Sequence, residues 1–112
     1  MLNYLIKIEY DGTNFVGWQS QKNGKSIQDT IESALKKVLN LNIRISGAGR
    51  TDKGVHAYSQ YANFKLKNKI TNMKKFLESV NYFLRRSSIS ILEVKKKKKM
   101  VMKLLVTLLE LK

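Results

Sequence analysis

Two stretches of this chain repeat their apolar residues with the period of a helix, and each lies between stretches that repeat them with the period of a strand. That order, β-α-β-β-α-β, constrains the fold more than any other feature. The first strand covers residues 3–10, where Tyr4, Ile6, Ile8 and Tyr10 alternate with Asn3, Lys7 and Glu9. Asp11 and Gly12 end it with turn chemistry. A helix follows, opened by Ser26 with Asp29 three places on, a variant of the capping box. Its apolar positions are Ile27, Ile31, Ala34, Leu35, Val38 and Leu39, which share one face while Lys36 and Lys37 lie off it. Asn40 and Asn42 mark its end.

The second half repeats the plan. Ile43 and Ile45 alternate with Arg44 and Ser46 as a short second strand. Tyr58, Gln60, Ala62, Phe64 and Leu66 share one side of a third, opposite Ser59, Tyr61, Asn63 and Lys65. Thr71 is the expected cap of a second helix, whose apolar face is Met73, Phe76, Leu77, Val80 and Leu84. Arg85 and Arg86 follow at its C-terminus, where cations suit the helix dipole. Ile89 and Ile91 alternate with Ser88 and Ser90 in a fourth strand that fades near Val94. Two one-sided helices and four strands in this order predict an α+β, ferredoxin-like sandwich. It has a four-stranded antiparallel sheet with both helices on one face, leaving the other face for a partner. RNA-recognition modules share this plan, but the third strand lacks their basic-Gly-aromatic signature.

Two loops stand out. Residues 13–25 carry Phe15, Gly17 and Trp18 among polar side chains; such aromatics stack on bases or plug the edge of a core, and tryptophan burial favours the plug. Residues 47–57 (GAGRTDKGVHA) place three glycines and two cations around one carboxylate, Asp52. Arg50 and Lys53 favour its ionised form. A capped glycine turn and a functional loop are both open on these residues alone.

The string 49–57 closely resembles the signature loop of the tRNA pseudouridine synthase A family. Residues 10–19 (YDGTNFVGWQ) and 26–29 (SIQD) resemble that family's other motifs, in the same order. The resemblance implies an isomerase acting on uridines in the anticodon stem-loop of tRNA, at positions 38–40. Converting uridine to pseudouridine breaks the glycosidic bond, turns the uracil, and rejoins it through carbon, so neither cofactor nor metal is expected. The resemblance makes Asp52 the catalytic residue, by covalent attack, by stabilising a cationic sugar, or by moving a proton. Arg50 is then a phosphate ligand or the occupant of the gap left by an extruded base, with an ion pair to Asp52 as the plain reading. Thr51 and Lys53 join it as RNA-binding candidates. His56 is one as well, although a lone histidine at a strand start is more often structural. Trp18 and Gln19 line the RNA side of the site in this reading, against simple core packing for Trp18. Lys22, Lys25, Arg85 and Arg86 would extend a phosphate-binding surface, or are solvated.

Charge agrees with a polyanionic partner. The net charge is +14; seven lysines against one glutamate fall in residues 95–112, so +8 remains on residues 1–94. The chain has no cysteine and one histidine, which argues against disulfides and transition-metal sites. The expected organisation is a catalytic-loop domain over residues 1–94 and a Lys-rich, apolar tail over 95–112, disordered or out of frame. The tail's apolar run falls short of the roughly 20 residues that span a bilayer. No membrane association is expected. The expected protein is cytoplasmic, homodimeric when full length, and truncated or frameshifted after about residue 94, so that this chain by itself does not turn over. A non-catalytic RNA-binding module of the same fold is the alternative.

Overall fold

The computed structural model describes residues 1–47 and 57–97. Six elements follow one another: β1 (Leu2–Tyr10), α1 (Ile27–Leu39), β2 (Ser46–Gly47), β3 (Ala57–Leu66), α2 (Met73–Leu84) and β4 (Ile89–Lys97). The strands form one sheet in the order β2-β3-β1-β4, with every neighbouring pair antiparallel. β1 and β2 both run against β3, so they are parallel to each other and α1 is the crossover between them. α2 links β3 and β4 in the same way. This is the ferredoxin-like arrangement that the order of periods predicts.

One face of the sheet is the core. Tyr4, Ile6, Ile8 and Tyr10 of β1 join Ala62, Phe64 and Leu66 of β3 and Ile89 and Ile91 of β4. Against them α1 packs Ile27, Ile31, Ala34 and Leu35, and α2 packs Phe76, Val80 and Leu84. Each of these Ile, Leu, Val and Phe side chains contributes about 1.5–3 kcal/mol on burial. Tyr4 stacks on Phe64 with ring centroids 5.6 Å apart, and its hydroxyl accepts the Ile70 N–H at 2.8 Å. A buried phenol thus keeps a partner for its polar end. The odd-numbered face of β1 is polar apart from Leu5, which is 8% exposed between Asn63 and Lys95.

Three boundaries differ from the sequence expectations. The second strand is only Ser46–Gly47, paired with Asn63 and Ala62, and not residues 43–46. Ile45 stays out of the ladder because side chains of α1 take its backbone: its N–H donates to Glu32 Oε2 at 2.9 Å and its carbonyl accepts from Gln28 Nε2 at 3.2 Å. The cap of α2 is Asn72, not Thr71. Asn72 Oδ1 accepts the Lys75 N–H at 3.0 Å, the third residue into the helix, which is the reach that an N-cap side chain requires. Finally, β4 does not fade at Val94 but continues to Lys97. Its β1 partners jump from Ile91 to Glu93, so Leu92 is an extra residue, a bulge. The bulge reverses the parity: Ile89 and Ile91 face the core, and after it Val94, opposite Ile6, faces the core as well. A strict period of two loses the strand at that point.

Candidate functional site

The glycine loop is rooted in described structure at both ends. β2 delivers the chain to Gly47, and Ala57 takes it up again as the first residue of β3, where it pairs with Tyr10 at the end of β1. Arg50, Thr51, Asp52, Lys53 and His56 lie between these points, outside the described residues. What the structure does describe is how the loop's foundation is built.

The first turns of α1 gather that foundation. The Ser26 hydroxyl accepts the Asp29 N–H at 3.0 Å, so the capping half of the box forms. The Asp29 carboxylate does not close the box; it accepts the Ser20 hydroxyl at 3.0 Å instead. The Ile27 and Gln28 amides donate to the carbonyls of Gly17 and Trp18, at 3.1 and 2.9 Å. The Ile27 and Gln28 amides of α1 are therefore committed to the preceding loop, and the Asp29 amide to the capping hydroxyl. The same bonds place Trp18. It is 3% exposed, 6.3 Å from the Tyr10 ring, and packed into the core along with Phe15. Its indole also lies against the loop's first glycine: a Cβ on Gly47 would fall 2.7 Å from Nε1 and 2.8 Å from Cε2. Gly47 is required here by the close approach of a ring. Gln19, next to Trp18, is exposed.

The second constellation is on the next face of α1. Gln28 and Glu32 are one turn apart and bond to each other at 3.2 Å through Nε2 and Oε2. Together they hold both backbone groups of Ile45, and Gln28 Oε1 also accepts the Ser20 N–H at 3.1 Å. The network fixes the amide of Gln28, whose NH2 faces two acceptors and whose carbonyl faces a donor. Periodicity could not find these residues, because they are polar positions beside the apolar stripe. Gln28 belongs to the SIQD motif, which was the one available signal.

The surface cations differ in freedom. Lys22, Lys25 and Arg86 are exposed. Arg85 lies over the Tyr82 ring at 4.0 Å and donates to the Tyr82 carbonyl at 2.7 Å. Lys7 and Lys65 stand on the sheet face away from the helices, Lys7 directly opposite Tyr61 and Lys65 opposite Asn3. Among the described residues no group of three His, Cys, Asp or Glu is placed to hold a metal, and no helix is long and apolar enough to cross a membrane.

Comparison with known proteins bears on the same elements. A family model described as tRNA pseudouridine synthase matches residues 6–104, ten residues past Val94. A relative from Pelagibacter ubique, named tRNA pseudouridine synthase A, is 50% identical over 97 residues, 87% of this chain and 39% of its own length. One of the same name from Caldicellulosiruptor saccharolyticus is 53% identical over 74 residues, 66% of this chain and 30% of that protein. Another, from Thermodesulfovibrio yellowstonii, is 51% identical over 82 residues, 71% and 32%. The chain thus spans about a third of the length of these relatives. With a model match over most of its residues, from the core of β1 through both helices to the end of β4, this chain belongs to the tRNA pseudouridine synthase family.

Proposed function

We propose that this chain is the catalytic-loop domain of a tRNA pseudouridine synthase, with residues 1–94 as its functional body and Asp52 as the essential carboxylate. Its reaction is an isomerisation. The bond from the ribose C1′ to N1 of uracil breaks, the base turns, and a bond from C1′ to C5 forms as C5 loses a proton and N1 gains one. Asp52 assists the breaking and remaking of the bond at C1′. Arg50 holds phosphate or fills the space of the extruded base, with Thr51, Lys53, His56 and Gln19 lining the RNA side and Trp18 supporting the loop from beneath. The substrate is the anticodon arm of tRNA at uridines 38–40, and the complete enzyme is a cytoplasmic homodimer.

The observation that carries this reading is the loop of residues 47–57 itself, set between β2 and β3 in a chain of this family. Lys7, Lys65 and Tyr61 on the sheet face away from the helices give it a surface suited to RNA. The test is conversion of unmodified tRNA transcripts, by this chain and by this chain continued with the remainder of the Pelagibacter ubique relative. Conversion at uridines 38–40 that Asp52→Asn abolishes, with tRNA affinity within a few-fold, is expected of the continued protein. Undiminished turnover by Asp52→Asn overturns the assignment. Saturable tRNA binding with no conversion by the continued protein overturns it in favour of a non-catalytic RNA-binding module.

A further inference from the structure

We propose that Gln28 and Glu32 are positioning residues that set the direction in which the chain enters the catalytic loop. This inference rests on the reading of Asp52 as the catalytic carboxylate, and it concerns residues well removed from Asp52 in sequence. A two-residue strand has little with which to fix its own register. β2 contributes only the pairs Ser46–Asn63 and Gly47–Ala62, and beyond Gly47 the chain leaves for the loop. The residue before it, Ile45, is fixed in every respect. Its side chain is buried in the core, its N–H is held by a carboxylate, and its carbonyl is held by an amide. A ladder partner could slip by a pair of residues and find the same groups again. Two side chains on a helix cannot, because they are one of a kind and are anchored by the buried face of α1.

The pair is built to hold still. Glu32 and Gln28 bond to each other, so each restrains the other's rotamer. The Glu32 side chain is only 13% exposed, and its ion pair to Arg44 at 3.7 Å involves a side chain 81% exposed. That exposed pair is worth little beside the charge-assisted bond from the Ile45 amide. Gln28 also ties down Ser20, and Trp18 two residues earlier lies against Gly47. Residues 18–20 and 45–47 are thus referred to the same turn of α1. A misplacement of about 1 Å in a catalytic group costs about a hundredfold in rate, so a fixed root is worth more to a catalytic loop than to an ordinary turn.

The experiment has two arms. In this chain, hydrogen exchange should quicken at Ile45 in Glu32→Ala by at least about tenfold, while the amides of Ile6 and Ile8 in β1 are unchanged. In the continued protein, Glu32→Ala should lower kcat by about ten- to a hundredfold with KM within about threefold. Glu32→Gln, which keeps an acceptor for the Ile45 N–H, should restore most of both. Unchanged exchange at Ile45 overturns the clamp. Faster exchange with unchanged kcat overturns the positioning role and leaves a purely structural one. Failure of the catalytic reading is separate: it shows in Asp52→Asn, whereas the exchange arm needs no turnover.

Discussion

The two helices do the same thing at opposite edges of the sheet, by different means. α2 reaches β4 with one residue: Asn81 Nδ2 donates to the Ile91 carbonyl at 2.9 Å, and the Ile91 N–H donates to Asn81 Oδ1 at 2.8 Å. A single primary amide stands in for a neighbouring strand. α1 reaches Ile45 with two residues, a carboxylate for the N–H and an amide for the carbonyl. Ile91 remains within a nine-residue strand paired to β1, so its clamp reinforces an element that already has a ladder. Ile45 lies outside any strand, so its clamp replaces one. The first arrangement closes a free edge beside a bulge, a common need where unpaired backbone groups invite another chain. The second fixes a junction. Similar chemistry thus serves stability at one edge and placement at the other.

That contrast can be broken experimentally. Asn81→Ala leaves two backbone groups of Ile91 without their side-chain partner, and should cost about 1–3 kcal/mol in urea unfolding. In the protein continued with the remainder of the relative, its effect on turnover should be no larger than the unfolded fraction accounts for. A fall in kcal/mol near zero, or a loss of kcat in fully folded protein, would remove the distinction between the two helices. A smaller effect sharpens it at the start of α2. Asn72→Ala should destabilise by about 1 kcal/mol and Thr71→Ala by almost nothing, and the reverse order would mean that the cap lies one residue earlier.

The smallest effect concerns the end of β4, where Lys95 Nζ lies 2.6 Å from Glu93 Oε1. The hydrogen bond from Lys95 holds the Glu93 pKa below its ordinary value, and the same bond raises that of Lys95. The Glu93 contribution is present above the unfolded carboxylate's pKa and is lost as pH falls through the folded value. The Lys95 contribution is present below the ordinary lysine pKa and is lost as pH rises through its folded value. Both groups are solvated, so water and salt screen the pair and its share of stability is slight. An NMR titration of Glu93 in Lys95→Met should move its pKa upward; an unmoved pKa would mean that the pair does not form.

How much of this was legible beforehand depended on whether a residue's role repeats. The core faces of β1, α1 and α2 follow from period alone, and Ile27, Ile31, Phe76, Val80 and Leu84 are buried as their spacing requires. The family of the chain was legible in its motifs. The placement of Trp18 was open between stacking and packing, and the bonds from Ile27 and Gln28 to the loop carbonyls decide that it packs. Features that occur once were not legible. The bulge at Leu92 has no periodic trace, since it is the interruption of a period. The withdrawal of Ile45 from the ladder depends on side chains 13 and 17 residues away, and no local propensity encodes it. The catalytic assignments within residues 50–56 stand on the motif and on the family.

Trp18 is the only tryptophan in the chain, and its indole lies against the glycine from which the loop departs. The molecule therefore carries an intrinsic fluorophore at the one place where a change in loop anchoring would be felt first. Excited near 295 nm, its emission comes from a single buried ring, with no other indole to dilute it. A red shift or a change in quenching on adding tRNA would report on the surroundings of Gly47 without any label, and at concentrations far below those needed for exchange measurements.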